Sequence, residues 1–465
     1  MCQLRHVQGL SASLGSFRRR GHPARAGGRA AMLNVLNGFF RFGRGTGADR
    51  RAGERRAVAR PVASGRRRTP AYKPSLLRNL TRGALDTGVQ NFDAALLWAV
   101  GLLLMLGLVM VYSASIAVLE RKDPGSAAST YYLVRHSISL CVALGASVIA
   151  FAVPIRHWQR AALPLFVLGI VLLVMVFVPG VGRRAGGADR WISLGFTSLQ
   201  PTELMKLFVI LYVADYATRK QELMHQLKRG FIPMAVAIAL VGILIMREPD
   251  LGALMVIVSV AMGVLFLGGM SPKLFFGMGA MLAGVFMMFI MFVPFRRQRF
   301  FAYLEPFAGK NAEGSGYQLT HSLMAIGKGE WLGVGLGGGV AKLNYLPEPH
   351  TDFLFAIIGE ELGMAGMIVV IGLFFWIIRR CFEIGRQAIS FELFFNGLVA
   401  QGIGLWIGIQ AFINLGVNLG LLPTKGLTLP LLSFGGSAIL MTCVALAIVL
   451  RIDVENRRLM RGTVL

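Results

Sequence analysis

Ten apolar segments, each about as long as a bilayer-spanning helix, constrain this chain more than any other feature of its sequence. A helix needs roughly 20 apolar residues to cross the hydrocarbon core of a membrane, and its backbone polar groups are then paired within the helix itself. The segments cover residues 94–115, 136–155, 162–180, 199–218, 231–247, 251–269, 274–293, 353–378, 394–416 and 434–451. We therefore predict an all-α polytopic membrane protein with ten transmembrane helices.

The composition excludes two broad classes of protein. Charged residues are only 15% of the 465 residues, and hydrophobic residues are 55%, whereas a soluble domain carries about 25% charged residues. An ordinary cytosolic enzyme and a disordered chain are both excluded. Four cysteines without a CxxC pair indicate neither a disulfide framework nor zinc or redox chemistry.

The basic residues predict the orientation of the chain. Residues 1–82 contain 19 Lys or Arg and two acidic residues. With the N-terminus inside, the cytoplasmic side collects 33 basic residues and the outer side 14, in the sense of the positive-inside rule. We predict that both termini are cytoplasmic and that residues 1–92 form a basic, disordered tail that contacts anionic lipid rather than nucleic acid. Residues 93–452 would form the membrane domain, and residues 453–465 a short cytoplasmic tail.

The longest loop of the membrane domain, residues 294–352, is predicted to lie outside, between the seventh and eighth helices. Its aromatic residues argue against disorder, so we expect short amphipathic helices at the outer membrane surface. Arg296, Arg297 and Arg299 lie in this loop. Basic residues kept outside against the orientation rule favour an anionic substrate on that side. A loop that merely tolerates charge is the alternative.

Ionisable residues at membrane depth are costly unless they are paired or hydrated. Glu203 and Lys206 lie three residues apart at the start of the fourth span, so they share a helix face and can form an ion pair. A structural ion pair and a contact of Lys206 with a substrate phosphate are both compatible with this spacing. Asp250 follows Pro249 in the turn before the sixth span, where its carboxylate can cap that helix or serve a site.

The residues before the eighth span carry the sharpest chemical signal. His350, Thr351 and Asp352 lie directly before the span, after two prolines that stiffen the approach. A carboxylate at this place can cap the helix, and it can equally act as a general base towards a hydroxyl delivered from outside. Within the span, Glu360 and Glu361 require partners or water.

Two glycine-containing segments are interpreted as features of the backbone. Residues 333–338 match GxGxxG but follow no strand, so flexible or closely packed backbone is favoured over a nucleotide site. Residues 414–437, between the ninth and tenth spans, combine Gly, Pro, Asn and Ser, and Lys425 is their only charged residue. This composition at membrane depth predicts a re-entrant, non-helical stretch that lines a cavity or is buried in protein.

Several of these motifs together resemble the SEDS family (shape, elongation, division and sporulation) of polytopic enzymes of bacterial wall synthesis. The matching pieces are MVYSAS at 110–115, DRWI at 189–192, QPTELMK at 200–206, EPDLG at 248–252, HTDF at 350–353, GEELG at 359–363, and residues 414–437. The resemblance covers residues 93 to 452, and residues 423–430 are similar to the cell-division branch rather than the elongation branch. Phe434 and Ala438 depart from the Tyr and Ser that are common in the family.

The resemblance implies a peptidoglycan glycosyltransferase at the division septum, in the bacterial inner membrane, with an active site that faces the periplasm. Its substrate would be lipid II, whose sugar attacks the anomeric carbon of a lipid-linked glycan strand. A β-1,4 bond forms with inversion, and undecaprenyl diphosphate leaves. Asp352 is the catalytic candidate in the family's motif, and outer basic residues can stabilise the leaving group. The candidate substrate-binding residues are Arg296, Arg297, Arg299, Lys206, Glu203, Asp250, Trp191, His350, Lys425 and Ser433.

The sequence demands no metal, although a divalent cation, Mg²⁺ or Mn²⁺, that bridges Asp352 or the diphosphate agrees with the preference of hard cations for oxygen. The resemblance also implies a class B penicillin-binding protein as partner, whose transpeptidase crosslinks new strands, and other division proteins. Two alternatives stay open. One is a lipid II flippase or other transporter, although no inverted repeat with paired broken helices is visible. The other is a non-catalytic scaffold of the division machinery.

Overall fold

The computed structural model describes residues 92–120, 131–185, 188–193, 198–343, 345–347 and 349–462. The predicted basic tail, apart from its last residue, lies outside the described residues. The helices are α1 (Ala94–Glu120), α2 (Tyr131–Ala152), α3 (Ile155–Met175), α4 (Pro201–Arg219), α5 (Ile232–Arg247), α6 (Leu251–Leu267), α7 (Pro272–Phe292), α8 (Pro294–Leu304), α9 (Gly309–Ala312), α10 (Tyr317–Lys328), α11 (Leu354–Ser390), α12 (Phe394–Asn418) and α13 (Gly436–Met460). The strands are β1 (Gly182–Ala185), β2 (Ala188–Ser193) and β3 (Ser198–Leu199).

Each of the ten predicted spans corresponds to one long helix, α1 to α7 and α11 to α13. Within the part of the chain that the structure describes, eight helices are long and apolar enough to cross a membrane. The remaining two are α6, which has 17 residues, and α4, which carries four charged side chains within 19 residues. The polytopic, mainly helical architecture is confirmed, and the number of ten spans stays a prediction.

The interior of the bundle is built around α4, α12 and α13. Most residues of α4 are buried, and 72% of the apolar window is buried in both α12 and α13. By contrast, no residue of α7 is buried, so α7 lies at the periphery. The polar side chains of α4 and α12 therefore face protein rather than lipid, which is the environment in which a membrane bundle tolerates them.

The outer loop is tied to a break in α11. Gly363 has a φ of 65°, which interrupts the helix, and a Cβ at this position would lie 2.6 Å from the main chain of Trp331. Only glycine fits such a left-handed position against another backbone. Beyond the break, the amide groups of Met364 and Ala365 donate hydrogen bonds to the carbonyl oxygens of Glu330 and Trp331. The loop thus replaces part of the interrupted helical ladder.

Two buried carboxylates also fix the outer loop to α11. Glu361 accepts a hydrogen bond from Ser113 Oγ at 2.8 Å and forms an ion pair with Lys342 Nζ at 2.6 Å. Glu360 accepts a hydrogen bond from Val340 N at 2.8 Å. The predicted need of both carboxylates for partners is confirmed. The GxGxxG run also donates amide hydrogen bonds to the main-chain carbonyls of both glutamates, which confirms its interpretation as closely packed backbone.

Two helices extend beyond their predicted spans. The helix α11 continues past residue 378 to Ser390, and α13 continues past residue 451 to Met460, so the predicted domain boundary at 452 falls inside a helix. Polar contacts stabilise these extensions, because Asn456 Nδ2 donates to Ile384 O at 3.1 Å and Arg457 pairs with Asp453 at 2.7 Å. The predicted spans ended where the apolar residues end. The helices continue further, because their backbone hydrogen bonds extend into the polar residues that follow.

The loop of residues 294–352 and the connection between α3 and α4, both predicted to lie outside, have their own secondary structure. Helices α8, α9 and α10 occupy the loop 294–352, which confirms that it contains short helices. The connection between α3 and α4 forms an antiparallel sheet in the order β1-β2-β3, which the sequence analysis did not predict. Trp191 pairs with Arg183, and Ile192 pairs with Leu199. The sheet positions β2 next to the start of α4.

Candidate active site

A polar cavity of about 520 Å³ lies where the outer connections meet α2, α4 and α6. Five of the predicted site residues line it: Trp191, Glu203, Asp250, His350 and Asp352. Polar or aromatic residues that were not predicted also line it: Tyr132, Arg135, Ser139, Arg190, Gln200, Thr428 and Phe434. Motifs more than 200 residues apart in sequence are therefore brought to one place.

Asp352 is fixed through its main chain. The side-chain amides of Asn414 and Asn418 both donate to the Asp352 carbonyl oxygen, at 2.9 and 3.1 Å. Asn418 Oδ1 also accepts a hydrogen bond from Ala356 N, in the first turn of α11, at 3.1 Å. Gly426 leaves room for the carboxylate, since a Cβ there would lie 3.0 Å from Asp352 Oδ2. The half-buried carboxylate lines the cavity from a main chain that α12 holds in place.

His350 packs in an aromatic cluster at the cavity wall. Its ring centroid lies 4.6 Å from that of Tyr132 and 5.7 Å from that of Phe434. Phe434 N donates a hydrogen bond to the His350 carbonyl oxygen at 2.9 Å. Because Tyr132 belongs to α2, the cluster joins α2, the HTDF segment and the residues before α13.

The predicted ion pair between Glu203 and Lys206 is confirmed, with 2.7 Å between Lys206 Nζ and Glu203 Oε1 and both side chains buried. Lys206 Nζ also donates to Gln410 Oε1 at 2.9 Å and lies 5.8 Å from the centroid of the Trp406 ring. Gln410 Nε2 donates in turn to the Thr428 carbonyl oxygen at 2.9 Å. Glu203 lines the cavity, whereas Lys206 Nζ also contacts α12 through Gln410, and its contact with a substrate phosphate stays a prediction.

Asp250 and Arg190 organise the turn between α5 and α6. Asp250 Oδ1 accepts a hydrogen bond from an amide of the first turn of α6 at 3.0 Å, which confirms the predicted cap. Arg190, on β2, donates from Nε to the Glu248 carbonyl oxygen at 2.9 Å and from Nη2 to the Pro249 carbonyl oxygen at 2.8 Å. The sheet is thereby attached to the turn, and Trp191 is held beside it.

Among the described residues, the basic side chains that line the cavity are Arg135 and Arg190. Arg135 is exposed in the second turn of α2, and its Nη1 donates to the Tyr131 hydroxyl at 2.7 Å. The sequence analysis missed Arg135 because it began the second span at residue 136. Tyr131, Arg135 and Ser139 recur at intervals of four. This helical spacing was the signal that could have extended the span.

Other predicted site residues lie elsewhere. Arg296, Arg297 and Arg299 belong to α8. Arg297 is exposed and Arg299 is half-buried, and neither lines the cavity. Burial lowers the pKa of Arg299. Lys425 and Ser433 belong to the stretch between α12 and α13, and Ser433 Oγ accepts a hydrogen bond from Leu429 N at 3.0 Å. The non-helical stretch predicted for residues 414–437 is confirmed for 419–435, whereas residues 414–418 end α12 and residues 436–437 begin α13.

The described residues contain no group of three or more His, Cys, Asp or Glu side chains that could hold a metal ion. Three carboxylates line the cavity, but Glu203 is paired with Lys206, and one oxygen of Asp250 caps α6.

Similarity to known proteins agrees with this architecture. Residues 94–458 match the family model FTSW_RODA_SPOVE, which is described as a cell cycle protein. A curated protein from Burkholderia thailandensis, named "Probable peptidoglycan glycosyltransferase FtsW", is 51% identical over 471 residues, which cover 99% of each chain.

Two solved structures share the fold. One is described as "Structural coordination of polymerization and crosslinking by a peptidoglycan synthase complex". Its matching chain is 26% identical to this one, with a TM-score of 0.63, and the match covers 79% of this chain and 99% of that chain. The other is the rod shape determining protein RodA of Thermus thermophilus, 25% identical with a TM-score of 0.55, where the match covers 80% of this chain and 99% of RodA. The chain therefore belongs to the cell cycle protein family of FtsW, RodA and SpoVE, which is the SEDS family that its motifs indicated.

Proposed function

We propose that this membrane protein is a peptidoglycan glycosyltransferase of the cell-division branch, which polymerises lipid II into glycan strands. The polar cavity carries this proposal, because an anchored carboxylate and two arginines, Arg135 on α2 and Arg190 on β2, line it together. The printed name of the Burkholderia thailandensis relative and the family match support the same chemistry. A lipid-linked diphosphate substrate needs a base, an anion-binding group and access from the bilayer.

Asp352 is the proposed general base. It would accept the proton of the acceptor sugar hydroxyl while that oxygen attacks the anomeric carbon of the lipid-linked strand. The bond from that carbon to the diphosphate oxygen breaks as the new β-1,4 bond forms, so one displacement inverts the configuration. Glu203 is committed to Lys206, and Asp250 holds the end of α6. Asp352 lines the same cavity, and its main chain is held by Asn414 and Asn418.

Arg135 and Arg190 are the proposed contacts of the departing diphosphate. Negative charge grows on the leaving oxygens in the transition state, and cations fixed nearby stabilise it. The sequence analysis assigned this role to Arg296, Arg297 and Arg299. The structure describes the side chains of Arg297 and Arg299, and neither lines the cavity. We therefore transfer the role to the two arginines of the cavity wall.

An apolar groove beside the cavity would hold a polyprenyl chain. The groove has a volume of about 360 Å³ and lies between α5, α6 and α7. Leu251 and Leu254 of α6 line it, while Asp250 and Ala253 of the same turn line the polar cavity. A substrate with a polar head and an apolar tail could occupy both at once, which supports a lipid-linked sugar.

The remaining features of the proposal concern its setting. Asp352 and the substrate diphosphate would each supply oxygen ligands to a divalent cation, Mg²⁺ or Mn²⁺. The protein would act in the bacterial inner membrane at the septum with the cavity open to the periplasm. It would act beside a class B penicillin-binding protein and other division proteins. The solved structure of the peptidoglycan synthase complex supports such a partner, because its description names both polymerisation and crosslinking.

Polymerisation of labelled lipid II by the purified protein, with its transpeptidase partner blocked, tests the proposal. Asp352→Asn should lower the rate at least about a hundredfold, because it removes the base while keeping the side-chain shape. Asp215→Asn is the matched control, since Asp215 pairs with Arg219 on α4 away from the cavity. Near-normal polymer from Asp352→Asn would overturn the assignment of the base.

A second pair of variants tests the anion site. Arg135→Met should lower the rate by about a hundredfold if its cation stabilises the leaving group, while Arg297→Met should leave the rate within about twofold. The reverse order would restore α8 as the diphosphate site. Wild-type protein that forms no polymer but moves lipid II across vesicles would support a flippase instead.

A further inference from the structure

Glu248 is a buried acid that the proposed reaction does not use. It follows the last residue of α5, and its side chain is 0% exposed. Neither carboxylate oxygen of Glu248 has a hydrogen-bond partner. A charged carboxylate in such a place would lose its hydration without compensation, so the neutral acid is the stable form.

The charged neighbours of Glu248 act in opposite directions. The Asp250 carboxylate disfavours a second negative charge, and the Arg190 guanidinium favours it. Burial is the largest effect, and together with Asp250 it raises the pKa of Glu248 to about 8. At neutral pH the side chain therefore keeps its proton, and it would lose that proton only in mildly alkaline solution.

The main chain of the same residue holds Arg190 in place. Arg190 Nε donates to the Glu248 carbonyl oxygen at 2.9 Å, and Nη2 donates to the Pro249 carbonyl oxygen at 2.8 Å. Both contacts are to neutral oxygens, and they hold the guanidinium at the cavity wall. A carboxylate ion is a stronger acceptor than a carbonyl oxygen for a guanidinium. An ionised Glu248 would therefore compete with these two carbonyls for Arg190.

We propose that Glu248 is a positioning residue that works as a neutral acid: while protonated it leaves Arg190 at the cavity wall, and its ionisation withdraws Arg190 from the substrate diphosphate. The proposal rests on the proposed function for its effect on rate. The state of the Glu248 side chain itself is independent of that function.

Infrared difference spectroscopy of the purified protein tests the state of the side chain without any substrate. The wild type should show a protonated-carboxyl band at pH 7 that disappears at pH 9.5, and Glu248→Gln should lack that band. Glu222→Gln, at an exposed position after α4, is the matched control and should keep it. A wild-type spectrum without the band at pH 7 would overturn the proposal.

The pH profile of polymerisation tests the effect on Arg190. Glu248→Gln mimics the neutral acid, so it should polymerise like the wild type at pH 7 and keep its rate as the pH rises. The ratio of the wild-type rate to the Glu248→Gln rate should fall about tenfold by pH 9, one unit above the pKa of the carboxyl. Using this ratio cancels the titration of the substrate and of every other residue.

Coincident profiles for the wild type and Glu248→Gln would overturn the positioning role, as would a Glu248→Gln variant that is inactive at pH 7 although folded. If wild-type protein forms no polymer at any pH, the proposed function fails, and the infrared spectra alone decide the state of Glu248.

Discussion

The Lys342–Glu361 ion pair gives a sharp test of how the outer loop is held. The Lys342 side chain is 4% exposed, the Glu361 side chain is 0% exposed, and their charged atoms are 2.6 Å apart. Removing one partner of a buried ion pair costs about 3–5 kcal/mol, because the other charge stays buried without compensation. Glu361 keeps Ser113 Oγ and Gly337 N as donors. We therefore expect Lys342→Met to lower the free energy of unfolding by about 3 kcal/mol, the low end of that range.

Lys328→Met is the matched control, since Lys328 Nζ lies 3.5 Å from Glu360 but its side chain is 48% exposed. Solvent screens such a pair, so the expected loss is below about 1 kcal/mol. Adding Glu361→Gln to Lys342→Met removes the stranded charge and should recover most of the loss. Unfolding by dodecyl sulfate, followed by tryptophan fluorescence, measures all of these variants. Equal losses for the two lysine variants, or no recovery in the double variant, would refute the argument that burial sets the energy.

Three further predictions concern the backbone break and the turn between α5 and α6. Gly363→Ala should lower the thermal midpoint, at a cost of at least about 2 kcal/mol, because φ is 65° and a Cβ would lie 2.4 Å from Gly333 N. Asp250→Ala should cost about 1 kcal/mol through loss of the α6 cap, and a thermal scan should show a smaller loss for Asp250→Asn. In the folded protein the pKa of Glu248 is raised to about 8, from the ordinary value of 4.5 that we expect in the unfolded chain. Wild-type stability should consequently fall as the pH rises between these values, and Glu248→Gln, measured by dodecyl sulfate titration, should lack that fall.

Local sequence signals predicted a large part of the molecule. Apolar length marked every long helix, and the spacing of Glu203 and Lys206 predicted their ion pair. The position of Asp250 before α6 predicted its cap. These features depend on residues within one or two helical turns of each other, so a single stretch of sequence contains the whole cause. The composition of residues 414–437 likewise predicted a non-helical stretch, which the structure has at residues 419–435.

The features that escaped prediction depend on which helices are neighbours. Ser113 meets Glu361 across 248 residues of sequence, and no local pattern encodes that contact. Arg135 lines the cavity because α2 lies beside the HTDF segment, whereas none of the described side chains of α8 lines it. Charge alone does not distinguish Arg135, which the sequence analysis missed, from Arg297, which it proposed. Only the packing of the bundle separates a basic residue at the cavity from one at the surface.

The way in which Asp352 is held shows how a membrane bundle can position a carboxylate at a polar cavity. Asn414 and Asn418 bind the Asp352 carbonyl oxygen, and Asn418 also binds the first turn of α11, so α12 fixes both the residue and the helix that follows it. Anchoring of the main chain restricts where the Asp352 side chain can lie, which is the preorganisation that a catalytic carboxylate would need. Glu361 and Lys342 show the opposite arrangement, in which the charged side chains themselves connect the outer loop to the bundle. Ionisable residues of the bundle thus include some whose own side chains connect its parts and one, Asp352, whose main chain is held by side chains of α12.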